Sequence, residues 1–146
     1  MYTTTLPITL TLAGGLALLN VWLAFRVGQV RGSERVSIGD GGNERVTRRM
    51  RAHANFAENA PLLLILVGLI EFAAGTSVWL WVAAGLFLLA RALHAFGMDG
   101  WMPGRMFGTG ATMGLQLLLA VWAVSIPLSG AYSPEIRDVD PVAVQG

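Results

Sequence analysis

Four stretches of this chain are long enough to cross a lipid bilayer as helices, and no other feature limits its fold as tightly. In hydrocarbon every backbone N–H and C=O must be satisfied by the protein itself, so only helices and closed barrels can span it. The stretches lie at about residues 6–27, 51–74, 78–96 and 107–128 of 146. A rise of 1.5 Å per residue takes roughly 20 residues across a hydrocarbon layer of about 30 Å. None of them alternates apolar and polar residues at period two over a strand's length, which disfavours a barrel. Charged residues make up 13% of the chain and hydrophobic ones 54%, whereas an ordinary soluble domain is about a quarter charged. The expected fold is an all-α membrane protein: a four-helix transmembrane bundle over residues 1–128, then a poorly ordered tail at 129–146 containing Pro134 and Pro141.

Charge placement orients the bundle. All ten basic residues are arginines. Arg26, Arg31, Arg35, Arg45, Arg48, Arg49 and Arg51 cluster in or beside the first connection, and Arg91 and Arg105 flank the third. The start of the chain and the second connection, near Gly75, have none. Connections rich in arginine stay in the cytoplasm, so both termini are expected on the other side. Exclusive use of arginine, with abundant Ala and Gly, suggests a GC-rich bacterial genome and hence an inner-membrane location. The first connection, with Gly32, Gly39, Gly41 and Gly42, reads as a flexible loop. Without cysteine there is no disulfide framework, thiolate metal site or cysteine nucleophile. With only His53 and His94 besides, no metal site is expected, and nothing points to nucleic acid.

Charged side chains inside spans are costly and become functional candidates. The apolar run of the second span, Ala60 to Ala74, is too short alone and becomes a full-length span only when extended backwards through Arg51, His53, Asn55 and Glu58, with Arg48 just before them. At about 100° per residue, Arg48, Arg51, Asn55 and Glu58 share one arc and His53 falls outside it. Guanidinium binds carboxylate through two parallel bonds, Asn offers donor and acceptor, and Glu58 can hold an ammonium group. The stripe suits a small zwitterion with several carboxylates. Arg45, Arg48 and Arg49 taken singly read as topology determinants. A second cluster closes the third span, where Arg91 and His94 share a face continued by Met98, and Arg105 follows the turn at Pro103 and Gly104. Small residues from Gly108 to Gly114 have a spacing suited to close helix contact, and Asn20 and Gln116 fit a tightly packed, oligomeric bundle.

Taken in order, these pieces resemble the MAPEG family, the membrane-associated proteins in eicosanoid and glutathione metabolism. The resemblance lies in Glu44-Arg45 through Arg51-Ala52-His53, Asn55 and Glu58 on the second helix. It extends to Gly28-Gln29-Val30-Arg31, to Arg91-Ala92-Leu93-His94, to Pro103-Gly104-Arg105 and to Ala111-Thr112-Met113-Gly114-Leu115-Gln116. It implies a homotrimer of four-helix subunits with a glutathione site between neighbours, open to the cytoplasm. Arg51, Asn55 and Glu58 would hold the γ-glutamyl end and backbone, Arg31 and Arg91 would balance carboxylates beside His94, and Arg105 would stabilise the thiolate. The second reactant implied is a hydrophobic electrophile arriving from the bilayer. A helix-three tyrosine of several family members is absent, the nearby residues being Ala95, Phe96 and Met98, and Ala54 replaces a second arginine of the prostaglandin synthase. These departures argue against a dedicated eicosanoid synthase and towards a bacterial member.

The function expected is therefore a membrane-bound glutathione transferase, or a peroxidase of related mechanism. The alternative is a non-catalytic lipid-binding or scaffold protein of the same family. A small four-span drug exporter fits poorly, since the first span carries Asn20 and no acidic residue.

Overall fold

The structure, a computed structural model, describes residues 6–130. It consists of four helices, α1 (Pro7–Glu34), α2 (Glu44–Ala74), α3 (Val78–Met98) and α4 (Met102–Leu128). All four are long and apolar enough to cross a membrane, and the chain is an integral membrane protein with an all-α, four-helix architecture. The connections at 35–43, 75–77 and 99–101 are short enough that successive helices run antiparallel. Inner positions α2 and α3 contact each other; α1 lies on both, α4 lies on both, and α1 does not meet α4. The expected tail lies, from residue 131 on, outside the described residues.

Helices α1, α2 and α4 extend beyond their apolar runs at the arginine-rich end. The 28 residues of α1 reach about 42 Å, well past the hydrocarbon layer. Polar contacts fix the ends. Arg35 closes α1 in the left-handed conformation, with φ 56°, and the Asn43 side chain accepts from the N–H groups of Arg45 and Val46 to start α2. Ser77 does the same for α3 through the Leu80 N–H. The loop expected from Gly32 narrows to 35–43, because Gly32 belongs to the last turn of α1 and Glu34 ties back to Asn43 (2.8 Å) and Arg45 (2.7 Å). Within it Asp40 accepts from the Gly42 N–H and the Thr47 hydroxyl, which hold its carboxyl below the ordinary range. That contact is present above the ordinary aspartate range and is lost as pH falls through the lowered value.

Inside, Phe56, Ala60, Leu63, Val67 and Ile70 of α2 recur every three or four residues and are buried against Ile8, Leu12, Leu80 and Phe87. The opposite faces, with Leu18, Phe25, Leu69, Trp79, Leu117 and Val121, are exposed in the single chain. Lipid tails are as apolar as leucine, so close packing and interhelical hydrogen bonds must hold such a bundle together. The closest approach is between α3 and α4. A Cβ at Gly97 would collide with the backbone of Arg105, and one at Gly108 would lie 2.7 Å from the Ala90 carbonyl oxygen. Gly110 and Gly114, which share the small-residue spacing, meet no other part of the chain.

At the end away from the arginines a buried carboxylate caps a neighbouring helix. Glu71 of α2 accepts from the Ile8 N–H (3.0 Å), the Thr9 N–H (2.8 Å) and the Thr9 hydroxyl (2.6 Å). The first turn of α1 has no acidic residue of its own, so Glu71 meets donors that a helix start leaves unpaired. Glu71→Ala is expected to lower stability by about 1–3 kcal/mol, with Glu71→Gln intermediate. Thermal unfolding in detergent checks this; an unchanged transition would remove the cap from the account.

Candidate functional site

At the arginine-rich end, α2, α3 and α4 surround a cavity of about 320 Å³. Three of its lining residues, Arg51, Asn55 and Glu58, come from successive turns of α2, as the helical arc predicts. His94 and Met98 enter from the last turns of α3, and Arg105 and Thr109 from the first turns of α4. Five of the residues singled out from sequence thus meet here: Arg51, Asn55, Glu58, His94 and Arg105. Ala54, Met98 and Thr109 complete the lining. Thr109 was not singled out, although its position four residues after Arg105 puts both on one helix face.

Arg91 does not line the cavity. It is 2% exposed, behind Asn55. Its Nη2 donates to Asn55 Oδ1 (2.9 Å), its Nη1 donates to Thr112 Oγ1 (3.3 Å), and its guanidinium lies 5.9 Å from the Phe56 ring centre. The bond from Arg91 fixes which way the Asn55 amide points, and its Nδ2 stays available to donate to a ligand. Behind Asn55, a polar ladder descends further along the helices. Asn59 Nδ2 donates to the Asn55 carbonyl (2.7 Å), and Gln116 Nε2 donates to Asn59 Oδ1 (3.2 Å).

Arg31 is not brought to the cavity within one chain. It lies near the end of α1, donating to the Ser37 carbonyl (3.1 Å) and contacting Met50 Sδ (3.4 Å). There it borders a groove of about 300 Å³ on another side of α2, with Met50, His53 and Ala57. Ala54 lines both this groove and the cavity. His53, off the polar arc, is hydrogen-bonded to Asn20 of α1 (2.9 Å). Arg48 also leaves the arc: it pairs with Glu44 (2.5 Å) and borders a separate cleft with Arg45, Arg49 and Asp99.

Charge pairing separates the cavity from its surroundings. Arg26, Arg45, Arg48 and Arg49 each have a carboxylate partner. Glu71 is met by α1, and Arg91 by Asn55 and Thr112. Among the described residues, the charged helical side chains with neither an ion pair nor a hydrogen bond are Arg51, Glu58 and Arg105, all of them cavity residues. The buried Nδ1 of His94 also has no hydrogen-bond partner. Two guanidiniums, an amide donor and one carboxylate around a common space can hold a small molecule with more anionic than cationic groups.

The position of Arg105 depends on the turn before it. Asp99 caps α3 and binds both Arg26 of α1 and Arg49 of α2. Arg26 lies against a pair of touching rings, 4.7 Å from the centre of Trp22 and 5.4 Å from that of Phe96. Arg49 also donates to the Arg26 carbonyl (3.1 Å). These contacts tie the α3–α4 turn to α1 and α2, while Gly97 lets the backbone of Arg105 close onto α3. This cluster was not legible beforehand, since Arg26 and Arg49 read only as topology-setting charges.

A model of the MAPEG family matches residues 9–125 of the chain, a span that takes in every cavity residue. No curated protein matches the chain.

Removing Asp99 would leave Arg26 buried without its counter-charge, which costs more than replacing both partners. Asp99→Ala is expected to cost about 1–3 kcal/mol of stability, and the double variant Arg26→Met with Asp99→Ala to recover part of it. Thermal unfolding of the two single variants and the double decides: strictly additive losses would mean the ions are not coupled.

Proposed function

The chain belongs to the MAPEG family, and from that premise we propose that it is a trimeric, membrane-bound glutathione transferase, its related capacity being glutathione-dependent peroxide reduction. The observation that carries the reading is the set of unpaired charges, Arg51, Glu58 and Arg105, around one cavity. Glutathione brings two carboxylates, an ammonium group and a thiol, and the donor set fits it. Arg51 and the Asn55 amide bind carboxylate, Glu58 holds the ammonium, and His94 forms part of the cavity wall beside them. Arg91 acts one step back by fixing which end of the Asn55 amide faces the ligand.

When bound, glutathione supplies the nucleophilic sulfur. Arg105 places a guanidinium beside it, and a nearby positive charge favours the thiolate over the thiol. The electrophile is apolar and arrives from the bilayer, so Ala54 and Met98 give the cavity a wall it can lie against. The arginine-rich end faces the cytoplasm and both termini the opposite side of a bacterial inner membrane; the arginine distribution supports that orientation.

Oligomerisation supplies what one subunit lacks. The Asn20–His53 pair and the charges of Arg51 and Glu58 lie on surfaces that cannot face lipid cheaply. Three copies about an axis bury them against each other, and Arg31 reaches the cavity of the neighbouring subunit to balance a carboxylate.

A second reading, a non-catalytic lipid-binding or scaffold protein, is favoured by an apolar cleft of about 280 Å³ at the other end, formed by Leu69, Phe72, Ile126 and Pro127 among others. Calorimetric titration of detergent-purified protein separates the two, since absence of binding at millimolar glutathione would favour the scaffold.

Conjugation of a generic electrophile tests the roles of the arginines. Arg105→Ala is expected to lower kcat by roughly 100-fold or more, the scale of a lost donor at a developing negative charge. Arg51→Ala is expected chiefly to raise KM for glutathione, by about tenfold, the mark of lost ground-state binding. Activity unchanged in both variants would remove the site.

A further inference from the structure

One hydroxyl stands apart from the others in the bundle. On a helix in an apolar medium, Ser and Thr ordinarily give their proton to a nearby carbonyl, because an unpaired hydroxyl is costly there. The described helices follow that rule: Thr11 donates to the Pro7 carbonyl, Ser33 to Val30, Thr112 to Gly108 and Ser125 to Trp122, Thr47 shares its proton between the Asn43 carbonyl and the Asp40 carboxylate, and Thr9 donates to the Glu71 carboxylate. Thr109 is the exception. Among the described residues its hydroxyl has no hydrogen-bond partner, and it lines the cavity on the same face of α4 as Arg105.

The remaining lining explains what that hydroxyl can do. Ala54 and Met98 have no O–H or N–H in their side chains, and Asn55 has its oxygen engaged by Arg91. Thr109 is the cavity's one hydroxyl among the described residues. It lies one helical turn, about 6 Å along the axis, deeper into the bundle than Arg105. A guanidinium at the mouth and a hydroxyl one turn inward give a bound anion two donors at different depths. A thiolate accepts such bonds, and hydrogen bonding to the charged form of a group favours that form.

Building on the glutathione reading, we infer that Thr109 is a second catalytic residue, whose hydroxyl donates a hydrogen bond to the glutathione sulfur beside Arg105 and helps keep it ionised. No proton leaves Thr109: the hydroxyl stays intact and the thiol proton goes to solvent. Because Thr109 lies on the membrane side of Arg105, it also points the sulfur towards the depth from which an apolar electrophile enters.

The test is a pH titration of the thiolate ultraviolet absorbance of glutathione bound to the full-length protein in detergent, with glutathione affinity measured in parallel. Thr109→Val keeps the shape and removes the hydroxyl. It is expected to raise the apparent thiol pKa by about one unit, a tenfold loss of thiolate below that pH, at near-normal affinity. Thr109→Ser restores the donor and is expected to titrate like the parent protein. If Thr109→Val fails to assemble, Thr109→Ala provides the same deletion. A valine or alanine variant that titrates like the parent would overturn the role of Thr109 and leave the transferase reading standing. A parent protein that binds glutathione without forming thiolate, or does not bind it, would overturn that reading as well.

Discussion

A charge carried on a membrane-spanning helix must be met by protein or by water, and this requirement organises the whole bundle. Each end answers it differently. At the end away from the arginines, one carboxylate, Glu71, is enclosed by the donors at the start of α1. At the arginine-rich end, Asp99 gathers Arg26 and Arg49, and Glu34 and Glu44 take Arg45 and Arg48. The chain thus resolves nearly all of its own helical electrostatics. The charges it leaves open are concentrated around one cavity, and that concentration is what supports the proposed binding site over a merely basic membrane flank.

Two kinds of contact turn that place into a defined geometry. Arg91, wholly buried, commits the oxygen of Asn55 and so determines what the amide offers to the cavity. Glycine does for the backbone what Arg91 does for the side chains. Gly97 and Gly108 let α3 and α4 approach so closely that Arg105 begins its helix against the last turn of α3. With the turn also tied through Asp99 to α1 and α2, the guanidinium of Arg105 projects from a backbone held on three sides. Electrostatic stabilisation of a developing anion depends on donors that need little reorganisation, and these contacts reduce the freedom of the segment that carries one.

Local patterns were legible in the sequence, and long-range pairings were not. The four spans follow from hydropathy, and the meeting of Arg51, Asn55 and Glu58 follows from helical periodicity, because both are decided within a few turns. Arg91 and His94 share a face as their spacing requires, yet only the tertiary packing makes one a buried support and the other a lining residue. Glu71 and Ile8 are 63 residues apart, and Arg26 and Asp99 are 73 apart, so nothing in either local pattern announces them. The small-residue run on α4 was readable as a contact surface, but which glycines make it depends on helix rotation: Gly108 packs on α3, whereas Gly110 and Gly114 do not. Arg31 shows the same limit at a higher level, since a single chain keeps it on another side of α2.

The openness of the cavity has a chemical logic of its own. The proposed reaction, which would join a charged, water-soluble tripeptide to an apolar partner, needs access from two phases, and an enclosed pocket would exclude one of them. A site formed at the ends of α2, α3 and α4 presents its guanidiniums towards the arginine-rich surface and its Ala54 and Met98 wall along the helices. Ala54 faces both the cavity and the groove of Arg31 and His53. A bulkier residue there would separate the two spaces, whereas a methyl group leaves the α2 surface between them shallow. The small residue at 54 therefore trades a local charge for access, and it leaves Arg51 and Arg105 as the guanidiniums that line the cavity.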